Sequence, residues 1–186
     1  MEELKRKKKV INMMITMHSS LRDAYGGKAR AIDLILLILA VILNSILFSS
    51  NEYLSSITSF SPSQIELFTK ILALLVFLIS VILLLVNWKQ SLENHKSACN
   101  RLFMLLNECR QLIEESGESP QTETFNKKYE EVMASIVPIP DAKFNRLKSH
   151  HLRKVEFSKY LDRNKAKPFW LCKLDFFIKS FNASNN

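Results

Sequence analysis

Two long runs of apolar residues constrain this chain of 186 residues more than any other feature of its sequence. Residues 31–48 contain one charged side chain, and residues 71–86 contain none. A helix rises about 1.5 Å per residue, so each run approaches the hydrocarbon thickness of a bilayer. The sequence therefore predicts an all-α membrane protein with two transmembrane helices, the second continuing into a cytoplasmic helical bundle.

Lysine and arginine are distributed unevenly around these two runs. Eight of them precede the first run, whereas the connecting residues 49–69 contain neither lysine nor arginine. After the second run, basic residues resume at Lys89 and Lys96. Because the cytoplasmic flanks of membrane spans carry the excess of Lys and Arg, we expect both termini in the cytoplasm.

Changes of composition divide the chain into six predicted segments. They are a basic N-terminal helix (1–30), transmembrane helix 1 (31–48), an extracytoplasmic loop (49–64), transmembrane helix 2 (65–88), a cytoplasmic helical bundle (89–164) and a basic aromatic tail (165–186).

Glycine, proline and capping residues predict where the helices begin and end. Gly26 and Gly27 are expected to separate the N-terminal helix from the first span. Ser61-Pro62-Ser63-Gln64 predicts an N-cap with a capping box. With no Gly or Pro until Gly117, we expect one helix of about 54 residues from Pro62 onward. Further helices are expected over 122–136 and from an Asp141 N-cap to about Asp162, separated by a proline-rich linker.

A regular apolar stripe follows the second span. Its residues recur at alternating steps of four and three, which is the pattern of a heptad seam. We expect such a seam to join helices of a bundle or neighbouring copies of a homo-oligomer, with His95 as a packed residue. The residues assigned to oligomerisation are Trp88, Leu92, His95, Leu102, Leu106 and Ile113.

Polar residues inside the two spans are few, and each is a candidate for a functional role. They are Asn44, Ser45, Asp33 and Ser80. Polar groups at membrane depth either line an aqueous path or bond a neighbouring helix, and both alternatives stay open. Asp33 can also pair with Arg30. Two helices cannot enclose an aqueous path, so a pore would need several copies.

The C-terminal segment is both basic and aromatic. From Asp141 onward, eleven Lys and Arg residues face four acidic ones. This composition is typical of a segment that binds anionic lipid at the membrane surface, but it also suits stacking on single-stranded nucleic acid or docking on the protein's own bundle. The candidate membrane-surface residues are Phe169, Trp170, Lys173 and Phe177.

The sequence lacks the motifs that usually carry chemistry. There is no phosphate-binding glycine loop, no metalloprotease helix and no nucleophile elbow. The three cysteines lack metal-ligand spacing and are expected to be free thiols: Cys99, Cys109 and Cys172. We therefore expect no enzyme activity and no cofactor.

Three stretches resemble a known family. The first is Leu21-Arg22-Asp23-Ala24-Tyr25 before the first span, and the second is Trp88 followed by His95 and Ala98. The third is Val137-Pro138-Ile139-Pro140-Asp141 with Phe144, Leu147-Lys148, His151-Leu152 and Lys154. Over roughly residues 15–165 the layout is similar to the SLATT family, the SMODS- and SLOG-associating two-transmembrane effectors of prokaryotic conflict systems.

The resemblance implies an oligomeric effector that permeabilises or depolarises the inner membrane during abortive infection, an anti-phage response. It also implies an operon-encoded sensor as partner, such as a nucleotide synthase, a nucleotide sensor or a reverse transcriptase, and a nucleotide or nucleic-acid trigger. The alternative function is a membrane-anchored scaffold or sensor that binds a partner protein or nucleic acid without forming a pore.

Overall fold

The computed structural model describes residues 1–115 and 120–183, and all regular secondary structure within them is helical. The helices are α1 (Glu2–Phe48), α2 (Asn51–Ile57), α3 (Pro62–Val86), α4 (Trp88–Glu114), α5 (Pro120–Ser135), α6 (Asp141–Arg163) and α7 (Phe169–Ala183). The all-α prediction is confirmed. The chain divides into two compact units: a core unit (Met1–Ser20 with Ser97–Asn186) and a span unit (Leu21–Lys96).

The span unit contains the two apolar runs. Helices α1 and α3 are each long and apolar enough to cross a membrane, as predicted. The chain itself covers almost none of this apolar surface. Of the 18 most apolar consecutive residues, 0% are buried in the first helix and 6% in the second. In water such exposure would be strongly unfavourable, whereas in lipid it has no comparable cost.

The start of α3 follows the predicted capping box. Ser61 Oγ accepts a hydrogen bond from the Gln64 backbone N–H at 3.4 Å, and the Gln64 side chain accepts one from the Ser61 N–H at 2.9 Å. Before it, the predicted loop contains the short helix α2, which Ser50 caps by accepting from the Tyr53 N–H at 3.2 Å.

Gly26 and Gly27 do not separate two helices, contrary to the prediction, because α1 runs through both without a break. A helical glycine costs only about 1 kcal/mol relative to alanine, which tertiary contacts can offset. A Cβ at Gly26 would lie 3.4 Å from Leu92 Cδ1, an ordinary van der Waals distance, and a Cβ at Gly27 would meet nothing within 4 Å. Neither glycine is therefore required by a close approach of another helix.

The predicted single helix from Pro62 is interrupted at one residue. Asn87 has a left-handed backbone (φ 50, ψ 38), and it ends α3 immediately before α4 begins at Trp88. Asparagine is, after glycine, a residue that adopts this conformation at modest cost. The break is thus compatible with a sequence that carries no Gly or Pro there.

The core unit is held together by one apolar cluster. Helix α1 contributes Leu4, Ile11 and Ile15, and α5 contributes Phe125, with Ile136 just after it. The α4 members of the cluster are Ala98, Leu102, Leu105, Leu106, Cys109 and Leu112. The wide apolar strip of α4 is therefore the centre of an intramolecular core.

The later helices lie close to their predicted positions. Helix α5 ends at Ser135, and the linker Val137–Pro140 is not helical. Asp141 is the first residue of α6 and not its cap, because Pro140 occupies the N-cap position without a side-chain hydrogen bond. Proline has no side-chain acceptor, so the first turn of α6 lacks this form of capping.

Candidate functional site in the membrane-spanning helices

The polar side chains within the spans bond to their own helices. Asn44 Nδ2 donates to the Ala40 carbonyl, Ser45 Oγ to the Val41 carbonyl and Ser80 Oγ to the Val76 carbonyl, each at 2.8 Å. The serine hydroxyls are therefore satisfied without a second helix. The Asn44 carboxamide uses one N–H in this way. Its side chain is exposed, so the second N–H and the carbonyl oxygen lie at the helix surface.

Four residues of α1 lie along one line of the helix, with a polar residue at each end and two apolar residues between them. Asp33, Leu37, Ala40 and Asn44 follow each other at steps of four, three and four. Asp33 and Asn44 are three turns apart and point in directions about 20° from each other. All but the half-buried Ala40 are exposed. We call these four residues the α1 seam.

Asp33 has a different partner from the one predicted. Its Oδ2 lies 2.9 Å from Lys89 Nζ in the first turn of α4. Arg30 does not make this contact, because its Nε donates to the Gly26 carbonyl at 3.3 Å. The carboxylate therefore connects α1 to the residues directly after the Asn87 break.

Two further contacts join α1 to the start of α4. The Lys28 ammonium lies 6.0 Å from the centroid of the Trp88 ring, at the outer limit of a cation–π contact. One turn away in α1, Tyr25 stacks on His95 with ring centroids 5.6 Å apart and an angle of 9° between the planes. The predicted oligomerisation residues Trp88 and His95 thus contact their own chain.

The assignment of Leu102 and Leu106 as contacts between copies is corrected by their burial. Their side chains are 0% and 2% exposed within a single chain, and Ile113 packs against the same core. A second copy would have to open the core unit to reach them. Periodicity identified the apolar face correctly but not the surface that covers it.

The predicted membrane-surface residues lie on α7. Phe169, Trp170 and Phe177 are exposed large apolar side chains, and Lys173 is exposed among them. On another side of α7, Cys172 is buried and Phe176 packs against α6. The structure therefore combines two of the predicted alternatives, since one face of the helix is docked and another is exposed. The side chains from Lys179 onward lie outside the described residues.

Three cavities adjoin the span helices. An apolar one of about 440 Å³ lies between α1, α2 and α3, with Ile46, Leu54, Phe60 and Phe68 in its wall. The other two, of about 490 and 300 Å³, flank the Asp33–Lys89 pair. In the described part of the chain, no three His, Cys, Asp or Glu residues cluster closely enough to hold a metal ion.

The three cysteines and His151 belong to the core unit. All three cysteines are buried free thiols, as predicted. Burial raises the pKa of the Cys109 thiol, which reduces its thiolate fraction and hence its reactivity. Burial also lowers the pKa of His151, whose Nδ1 lies 3.0 Å from Thr16 Oγ1. These groups are part of the packing between α1, α4, α6 and α7.

Sequence reasoning missed the contacts on both sides of Asn87. The sequence predicts no partner for Lys28, Lys89 or Tyr25, yet these residues join α1 to the start of α4. One signal was present: an asparagine directly follows an uninterrupted apolar run, and asparagine is the common substitute for glycine at a left-handed helix end. The pairings themselves are distant in sequence and had no local signal.

Comparison with known proteins yields no relative. No family model matches the sequence, and neither a curated protein nor a solved structure is similar enough to be matched. The SLATT resemblance therefore stays a prediction.

Reversing either charge of the Asp33–Lys89 pair is expected to destabilise the span unit slightly, and exchanging both charges is expected to restore it. Exposed pairs of this kind typically couple by about 0.2–1 kcal/mol. A double-mutant cycle with Asp33→Lys and Lys89→Asp, followed by thermal unfolding in detergent, measures this coupling. The Glu66–Lys70 pair (2.7 Å) provides a control of similar exposure. Strictly additive effects at residues 33 and 89 would show that the pair contributes nothing.

Proposed function

We propose that this protein is an oligomeric two-transmembrane effector that permeabilises or depolarises the bacterial inner membrane on activation. One observation carries the proposal: Asn44 lies exposed on a span that its own chain leaves almost uncovered, in line with Asp33, whose carboxylate pairs with Lys89. Polar groups at membrane depth are unfavourable against lipid and favour protein partners or water. A seam of this kind suits contact with another copy or with an aqueous path.

The oligomer that we propose is built by the spans. The heptad residues of α4 are unsuited to this role, because Leu102 and Leu106 are buried in the core of a single chain. Copies would meet along α1, where the small side chain of Ala40 lies between Leu37 and Asn44 and allows helices to approach closely. Several copies around an axis would then enclose the path that two helices cannot.

The biological setting that we propose rests on the SLATT resemblance and on charge. The resemblance favours an anti-phage system in which an operon-encoded sensor responds to infection and supplies a nucleotide or nucleic-acid trigger. The asymmetry of Lys and Arg favours cytoplasmic termini, which would place the core unit on the side where such a signal arises.

A membrane-anchored scaffold without a pore is the second candidate. It is favoured by the surface of the core unit, where α6 exposes many basic side chains and α7 exposes aromatic ones. Expressing the protein with its operon neighbours while recording membrane potential separates the two functions. Depolarisation supports the effector, whereas an unchanged potential together with stable partner binding supports the scaffold.

Asn44→Leu tests the α1 seam directly. If Asn44 lines the path, the substitution should suppress ion flux in liposomes and leave the oligomer mass unchanged, because the constriction becomes apolar. If Asn44 bonds a neighbouring helix, the oligomer should weaken by about 0.6–2 kcal/mol per contact. Flux and native mass are measured on the same preparation.

Val41→Leu is the matched control for this substitution. Val41 is an exposed residue of α1 that lies outside the seam, and the change adds bulk without removing a polar group. It should alter neither flux nor mass. Normal flux and normal assembly in Asn44→Leu would contradict both roles of Asn44 and the use of the α1 seam.

A further inference from the structure

Helix α7 has one face that is already occupied. The Phe176 ring lies 5.2 Å from that of Phe157 and 5.8 Å from that of Tyr160, centroid to centroid, and both partners belong to α6. Cys172, one turn earlier, is completely buried. These contacts fix the rotation of α7 about its own axis, so its remaining surface points in a defined direction.

That remaining surface is apolar and exposed. Trp170, Leu174, Phe177 and Ile178 are each between 50 and 67% exposed. At about 100° per residue, they occupy less than half of the helix circumference. Lys173 lies on the same side and is exposed as well. We call these five residues the outer face of α7.

The charges around the outer face favour an anionic partner. Asp175 is the one acidic residue in the described part of α7, and it lies on another side of the helix, 2.8 Å from Lys167 Nζ. Helix α6, against which α7 packs, carries many more basic than acidic residues. The basic residues of α6 are Lys143, Arg146, Lys148, Arg153, Lys154, Lys159 and Arg163, against Asp141, Glu156 and Asp162.

Two other partners fit this surface less well. In a twofold dimer formed through the outer face, each Lys173 would meet a surface with no acidic residue to pair with it, which is unfavourable for a buried charge. Single-stranded nucleic acid binds by stacking its bases on ring faces, but Leu174 and Ile178, two of the four apolar residues of the face, offer no ring. Aliphatic and aromatic side chains around a lysine suit the boundary between headgroups and acyl chains.

We propose that the outer face of α7 docks on an anionic membrane surface. Trp170 and Phe177 enter the headgroup–acyl boundary, and Lys173 contacts lipid phosphate. Helices α1 and α3 are long and apolar enough to cross a membrane. They would tether the rest of the chain to the bilayer and so give α7 a high effective concentration of lipid. This interaction surface is independent of pore formation and is shared by both candidate functions.

Trp170 provides a direct test in the full chain. The sequence has two tryptophans, so a Trp88→Phe background leaves Trp170 as the sole tryptophan, which is excited selectively over tyrosine at the red edge of its absorption. The protein is placed in nanodiscs of brominated phosphatidylcholine, with or without an equal amount of phosphatidylglycerol. We expect bromine to quench Trp170 strongly with phosphatidylglycerol at low salt, and quenching to fall as salt is raised. Trp170 that stays unquenched in the anionic nanodiscs overturns the proposal.

Two variants separate the roles of charge and apolar contact. Lys173→Glu should lower the ratio of docked to undocked helix by about fivefold per unit of charge removed, and quenching of Trp170 should fall accordingly. Phe177→Ser removes an apolar contact and should also reduce quenching. Matched controls are Arg110→Glu and Phe103→Ser, which alter exposed positions of α4 and should leave quenching unchanged. Equal losses in the controls and the α7 variants would contradict the proposal.

Trp170 fluorescence also distinguishes anionic lipid from the two other candidate partners, single-stranded nucleic acid and a second copy of the chain. A change in Trp170 emission that follows single-stranded RNA and ignores anionic lipid would overturn the proposal in favour of nucleic acid. A change that follows protein concentration at constant lipid composition would overturn it in favour of a second copy. Neither change is expected when anionic lipid is present.

Discussion

Replacing Leu102 and Leu106 with aspartate is expected to unfold the core unit. Both side chains are buried in the cluster shared by α1, α4 and α5. Truncating a buried leucine typically costs about 2–5 kcal/mol, and an unpaired carboxylate in the same place adds to that loss. Whole domains are stable by only about 5–15 kcal/mol. Urea titration followed by circular dichroism, and limited proteolysis in detergent, measure the result.

Phe103→Asp and Met104→Asp are the matched controls in the same helix. These residues are 48 and 60% exposed, and the paired control introduces the same charge. They should leave the fold of the core unit intact. A Leu102/Leu106 double variant that stays folded and only dissociates from other copies would restore the original prediction that these residues join subunits.

Phe125→Ala is expected to destabilise the core unit by about 3–5 kcal/mol, the usual cost of truncating a buried phenylalanine. Phe125 is the α5 residue of the apolar cluster and is 3% exposed. Three partly buried α5 side chains, Tyr129, Val132 and Met133, also pack against the cluster. The polar links of α5 include the 2.6 Å hydrogen bond from Lys7 to Asn126, the Lys7 ammonium over the Tyr129 ring and the Lys128–Glu108 ion pair.

Hydrogen exchange shows whether the loss is local to α5. Since partly exposed ion pairs contribute little, amides of α5 should lose protection before those of α4. Phe103→Ala removes the same atoms from an exposed site and should change protection little. Unaltered exchange in α5 of Phe125→Ala would mean that the other apolar and polar contacts of α5 suffice to hold the helix.

Several features of this protein followed from its sequence because they depend on neighbouring residues. The two apolar runs are long enough to cross a membrane on length and composition alone. The capping box at Ser61 needs only the residues at positions 61 and 64. Proline also marked the linker before α6. In each case the interactions that decide the structure are made between residues only a few helical turns apart in the sequence.

Helix continuity was harder to predict because the local energies are small. Two glycines suggested a break in α1, yet a cost of about 1 kcal/mol each is easily outweighed. At Asn87 the opposite happened: nothing in the sequence demanded a break, but the chain adopts a left-handed residue before α4. In both places the local conformational preference is too weak to decide whether the helix continues.

Periodicity determined which residues of α4 are apolar and face the same way, but it contained no information about their partner. Leu102 and Leu106 could equally have met a second copy, and only the tertiary structure assigned them to Ile11 and Ile15 of α1 and Phe125 of α5. The Asp33–Lys89 pair is likewise distant in sequence. Hydrophobic burial is non-directional, so a sequence can require that a face be covered, and only the folded chain decides what covers it.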